Sequence, residues 1–165
     1  MSTQLDVREA VRRSIQTEKN AMDFYVRSAS QMKNAQARKV FELLASEERE
    51  HANWFYNIYT GEDIPDLEAF LNAGPAVDSD WLKDLEQIGV ATLDERKAME
   101  LAMEKERKLA DHLRGMAAKI ADPAVRKVFE DNARSTDHHY QLIESEYARL
   151  MGMVHETDID TFVRE

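Results

Sequence analysis

Apolar residues along the first third of the chain recur in steps of three and four. Between Leu5 and about Met32, the positions Val7, Val11, Ile15, Ala21, Met22, Tyr25, Ala29 and Met32 trace one stripe of a helix, and Glu18 falls in the middle of it. After a short connection around Asn34, a second stripe runs Phe41, Leu44, Glu48, His51, Phe55, Tyr59. It predicts a helix to about Thr60, stopped by Gly61 as a C-cap residue. Two helices joined this tightly are expected to lie antiparallel. Residues 62–91 break the period with Pro65, Gly74 and Pro75, then show an apolar turn at Trp81, Leu82 and Leu85. A long crossover with one or two short helical pieces is the expectation there.

Thr92-Leu93-Asp94-Glu95 reads as a capping box that opens a third helix with the stripe Met99, Met103, Glu106, Leu109, Leu113, Met116, Ile120. Asp122-Pro123 places a cap before a proline at the first helical position, which starts a fourth helix. Its stripe is Val125, Val128, Asn132, Thr136, His139, Ile143, Tyr147, Leu150, and it is expected to end near Gly152. Residues 153–165 then form a C-terminal tail in which Ile159, Phe162 and Val163 stand among acids, a candidate for docking on a partner protein or a neighbouring subunit.

The two halves repeat without a gap. Arg38-Lys39-Val40-Phe41-Glu42 recurs as Arg126-Lys127-Val128-Phe129-Glu130, an offset of 88 (129 − 41) that also pairs Glu18 with Glu106 and His51 with His139. A duplicated helix hairpin with a long central connection predicts an all-α, antiparallel four-helix bundle over residues 1–152, its crossover spanning about 61–92.

Composition changes this picture in three places. With 165 residues, 43% hydrophobic, the chain has enough apolar material for the core of one domain. A net charge of −10 argues against nucleic acid and anionic membrane surfaces and in favour of small cations as partners. The absence of Cys excludes disulfides, zinc ribbons, iron–sulfur clusters and thiol catalysis, so any metal must be held by oxygen and imidazole. No apolar signal region opens the sequence and no run is long enough to span a bilayer, which sets the expectation of a soluble, cytoplasmic protein.

Candidate chemistry follows from the stripes. A Glu three residues before a His arises easily by chance in a chain with 32 acidic residues and 5 His. The motif Glu48-Arg49-Glu50-His51 gains weight because three other helices carry Glu18, Glu106 and His139 at matching core positions. A buried carboxylate must neutralise, hydrogen-bond or bind a cation. Divalent iron, manganese or zinc accepts such a mixed shell. Tyr25, two turns from Glu18 on the same stripe, either hydrogen-bonds a metal ligand close to the chemistry or simply packs in the core. His112 and His138 lie off the stripes and are expected in solvent, and the basic neighbours Lys19, Arg49 and Arg107 also point off them.

Across the four helices, these residues resemble the rubrerythrin-like branch of the ferritin-like superfamily. The resemblance implies a centre of two iron ions that reduces hydrogen peroxide or oxidises ferrous iron. It implies metal ligation by Glu18, Glu48 and His51 in one half-site and Glu106 and His139 in the other, with Glu48 as the bridge and a catalytic residue beside Tyr25. Two positions depart from the family pattern. Thr136 stands where a second Glu is wanted, and Leu109 where rubrerythrins carry an extra Glu, so the His139 half-site is expected to bind metal more weakly. Asp137 lies about 100° round the helix from Thr136 and reaches the interior only through a local shift. Lacking Cys, the chain has no rubredoxin-like module and needs an external electron donor. The resemblance, together with the aromatics Trp54, Phe55, Tyr56 and Tyr59, implies a homodimer.

Two other readings stay open. One is a protein holding a single ion of iron, zinc or manganese for storage or delivery, which Thr136 favours. The other is a bundle in which the ligand residues are relics and the surface serves interactions.

Overall fold

The computed structural model describes residues 5–88 and 95–163, and all of its regular structure is helical: α1 Val7–Gln31, α2 Ala35–Tyr56, α3 Leu67–Asn72, α4 Asp80–Gln87, α5 Glu95–Lys119 and α6 Pro123–Val163. The protein is a helical bundle in which α1 packs chiefly on α2 and α5 on α6. Helix α4 reaches both α1 and α5. Tyr25, Phe41, Leu44, Phe55, Met99 and Leu113 are fully buried along the predicted stripes, and Phe24 and Phe129, off those stripes, are fully buried as well. Each such side chain contributes about 1.5–3 kcal/mol by leaving water.

The duplication reappears as repeated capping. Asn34 accepts the Ala37 backbone N–H through its side chain (3.0 Å), as Asp122 accepts that of Val125 (3.4 Å), 88 residues on. Arg38 donates from Nε to the Met32 carbonyl (3.2 Å), and Arg126 from Nε to the Ile120 carbonyl (2.8 Å). In both hairpins a guanidinium therefore satisfies a carbonyl at the end of the preceding helix, where no intrahelical donor remains.

Several boundaries differ from the sequence expectation. Helix α2 ends at Tyr56, with Asn57 as its cap, so Gly61 is not the stop. A Cβ at Gly61 would strike the Tyr59 ring, so close approach explains that glycine. Helix α6 runs through Gly152 to Val163 and includes most of the expected tail. One glycine costs a helix only about 1 kcal/mol relative to alanine, and no proline follows Pro123 to stop it. The expected capping residues Thr92, Leu93 and Asp94 lie outside the described residues. Glu95, at the start of α5, instead accepts the Lys33 and Asn34 backbone N–H groups (2.6 and 2.9 Å) and so ties α5 to the α1–α2 turn.

The connection between α2 and α5 is held from both sides. Arg49 on α2 donates to Glu68 (2.8 Å) and Asn72 of α3. Lys19 points off its stripe and away from Glu18. It is buried, paired with Asp23 (2.8 Å), and donates to the Ala73 carbonyl (3.0 Å) just past α3. Those free helix-end carbonyls explain how an ammonium tolerates burial. No described helix is long and apolar enough to cross a membrane.

Candidate metal centre

Each of the four long helices turns an ionisable group inward near its middle. Glu18 of α1, Glu48 and His51 of α2, Glu106 of α5 and His139 of α6 are all at most 1% exposed. Periodicity put them on core stripes, and the packing of four helices makes the stripes meet.

Glu48 is the common member. Its Oε1 lies 2.7 Å from His139 Nδ1 and its Oε2 3.7 Å from His51 Nδ1. Glu18 Oε2 is 3.6 Å from His51 Nδ1, and Glu106 Oε1 is 3.8 Å from His139 Nδ1. The two imidazoles stack, with centroids 4.9 Å apart and planes inclined by 8°. Ligand atoms of Glu48, His51 and His139 fall within 4.8 Å of one another, a group able to hold a metal ion.

These contacts are close without being hydrogen bonds. Both oxygens of Glu18, both of Glu48, Glu106 Oε2 and the Nδ1 atoms of His51 and His139 are buried and have no hydrogen-bond partner. Even the 2.7 Å approach of Glu48 to His139 lacks the required alignment. Buried polar atoms are ordinarily paired, because desolvation without a bond is expensive. A cluster of lone pairs left over at the convergence of four helices fits a bound cation.

The outer nitrogens are occupied in a complementary way. His51 Nε2 lies 2.7 Å from Ser135 Oγ, and His139 Nε2 lies 2.8 Å from Glu47 Oε1. Glu47, being a carboxylate, accepts the Nε2–H of His139, so once Nδ1 gives up its proton to a cation its lone pair points inward, the arrangement that metal-binding histidines use to fix their tautomer. Tyr25 donates to Glu106 Oε1 at 2.6 Å, an acid on another helix rather than Glu18 on its own. Its ring sits edge-on to Phe24, Phe41 and Trp81.

Electrostatics without a cation force protons into the cluster. Burial, then the charge of Glu48, pushes Glu18 well above the usual carboxylate range. Glu48 goes the other way. Burial is the largest influence and opposes its charge, but the Glu18 carboxyl and the His139 and His51 imidazoles outweigh it and hold Glu48 well below that range. Glu106 is raised by burial and by Glu48. Burial lowers both histidines, yet Glu18 and Glu48 push His51 up to about 10, and Glu106 and Glu48 push His139 up to about 12. Burial and the neighbouring carboxylates raise Tyr25 well above its ordinary value, so it remains a donor at neutral pH. Protons on His51 and His139 offset the negative charge of Glu48 in the metal-free chain, and a divalent cation does the same with fewer protons.

The remaining candidates fall outside the cluster. His112 and His138 are exposed, as expected. Asp137 does not swing inward, because Arg114 holds it at the surface at 2.7 Å. Thr136 is buried with an unpartnered hydroxyl, and Asn132, one turn earlier, has an unpartnered Oδ1. The aromatics offered as a dimer surface have roles within the chain. Phe55 packs against Phe129 at 5.0 Å, Trp54 lies beside His51, Tyr56 donates to the Ile64 carbonyl and Tyr59 to Asp63. Sequence reasoning missed Glu47 and Ser135, which lie off the stripes and touch the histidines only across a helix interface.

Comparison with known proteins agrees with this geometry. No curated protein and no solved structure matches the chain. The family model of rubrerythrin does match it, over residues 9–147, a span that contains every residue of the cluster. The chain belongs to the rubrerythrin family.

Proposed function

We propose that this protein is a non-haem di-iron carboxylate protein that reduces hydrogen peroxide or oxidises ferrous iron. The observation that carries the reading is the set of buried, unpartnered carboxylate oxygens and Nδ1 atoms facing one another while both Nε2 atoms are engaged. The fold it implies is the ferritin-like antiparallel four-helix bundle, in which α3 and α4 lie on the crossover between two hairpins. Glu18, Glu48 and His51 would hold one ion and Glu106 and His139 the other, with Glu48 shared. Held together by these residues, two ferrous ions would supply a pair of electrons to peroxide or dioxygen without a one-electron radical product.

The chain's own residues prepare that chemistry. Ser135 and Glu47 orient the imidazoles, and Tyr25 pins one oxygen of Glu106 while leaving the other free. The rings around Tyr25 keep that side of the cluster dry, which strengthens each charge interaction within it. Tyr25 keeps its proton and is placed to donate a hydrogen bond at the reacting centre. Electrons come from an external donor, as these 165 residues hold no cysteine to bind an electron-transfer iron. The acidic, cysteine-free composition suits a cytoplasmic setting, and the family resemblance implies a homodimer, for which light scattering at one chain mass is the contrary result.

A second reading rests on Thr136. A neutral hydroxyl where a carboxylate would complete the second half-site favours one tightly held ion of iron, zinc or manganese, kept for storage or delivery without turnover. Metal analysis of protein loaded with ferrous iron, combined with a peroxide-consumption assay, separates the two. Two irons per chain with consumption above that of free iron supports the di-iron reading. One ion without turnover supports the other, and no retained metal removes both.

A further inference from the structure

Glu18 faces a recess that leads toward the surface. The recess is small, about 20 Å³, and is lined by Glu18 with Ser14, Thr17, Leu109, His112 and Leu113 among its walls. Beyond it lies an open cavity of about 320 Å³ between α1, α4 and α5, and the two spaces share Thr17, Leu109 and His112. The inner space holds about one water-sized body. Glu18 supplies an independent sign of a ligand, because neither of its sealed oxygens has a hydrogen-bond partner.

The charge at the outer cavity favours cations. Lys105 and Lys108 line it, but Lys105 is paired with Asp84 and Lys108 with Glu104 (2.8 Å). Asp78 and Asp80 on the same rim therefore tip the balance to net negative. Arg13, which also lines the inner recess, is paired with Glu9 (2.9 Å), and a net-negative rim above a narrow neck raises the local concentration of the opposite ion.

We propose that this cavity is the vestibule through which a divalent metal ion reaches Glu18, with Leu109 and His112 forming the neck. The inference builds on the metal-binding reading above and adds a route to it. Leu109, only 8% exposed, closes the neck, and His112 beside it is exposed to solvent. The route also gives a role to the place where rubrerythrins carry an additional Glu. A leucine there supplies an apolar wall of the neck rather than a ligand.

Cobaltous ion is the probe, because its uptake by the metal-free protein is followed by stopped-flow absorbance without any turnover. Leu109→Ala is expected to speed uptake several-fold and Leu109→Trp to slow it on the order of tenfold, since a close-packed neck has no room for the added ring. Asp78→Asn with Asp80→Asn slows it at low salt, and the difference vanishes at high salt. The amount bound at equilibrium stays that of wild type in every variant. Unchanged rates in Leu109→Ala and in the aspartate variant, with normal final binding, overturn the route and leave the metal site standing. Wild-type protein that takes up no cobalt overturns both. Should Leu109→Trp fail to fold, the other two variants still decide.

Discussion

The two hairpins share a frame and differ in what they bring to the interior. Both place a Glu near the middle of the first helix, a His at the corresponding turn of the second, and an Arg on the carbonyl that ends the first. At offset 88, however, Leu44 and Glu48 of the first hairpin face Asn132 and Thr136 in the second. The first hairpin alone assembles a carboxylate–imidazole–carboxylate set, with Glu18 and Glu48 both within 4 Å of His51. The second has Glu106 and His139 and borrows Glu48 to complete its set. The scaffold of the repeat has been kept while its charge has been diluted, so one carboxylate now serves two imidazoles.

Removing that shared carboxylate should have the largest effect. Glu48→Ala is expected to abolish iron and cobalt binding, and Glu18→Ala to weaken it more than Glu106→Ala. Equal losses in the latter two, by calorimetric titration, would mean that the halves are equivalent after all. Restoring symmetry comes next. Thr136→Glu is expected to strengthen binding of a second ion while destabilising the metal-free protein on the order of 3–5 kcal/mol through an added buried carboxylate. Urea unfolding with and without metal reads both parts, and an unchanged metal-free stability would show that residue 136 does not face the cluster.

The pH response is smaller and has a definite sign. His51 is raised from 6.5 to about 10 in the folded chain, so its contribution is complete below pH 6.5 and lost as the pH rises through about 10. His139 extends the loss toward pH 12, and Glu18, also raised, acts in the same direction. Metal-free protein should lose stability between about pH 6.5 and 10, whereas metal affinity should rise over the same range because binding displaces protons. A flat profile of urea midpoints against pH would contradict the cluster's electrostatics. The smallest effects test the shared frame: Arg38→Ala and Arg126→Ala should each cost about 1 kcal/mol, and by similar amounts. A difference between them well beyond the error of the unfolding midpoint would show that the repeated cap does unequal duty.

Much of this was legible along the chain because a helix imposes its period on the sequence. Stripes at steps of three and four named the four long helices, and the acids and imidazoles interrupting those stripes named the cluster. Ends were harder to read. Gly61 and Gly152 look like stops, but α2 already ends at Tyr56, and α6 runs on through Gly152 for lack of any stronger breaker. Lys19 points off the stripe as read, but its burial was not legible, because the carbonyls that help satisfy its ammonium come from Leu71 and Ala73, more than fifty positions away.

The sequence by itself determined the long helices, their repeat at offset 88, the absence of thiolate donors within these residues and the five inward side chains, since each follows from local period and residue type. Tertiary structure alone decided that Glu48 serves both imidazoles, that Ser135 and Glu47 orient them, that Tyr25 bonds Glu106, and that Leu109 lines a recess beside Glu18. Those facts depend on how each helix is rotated about its axis relative to its neighbours. Periodicity fixes which face of a helix is buried, but only packing fixes which atom on that face meets which.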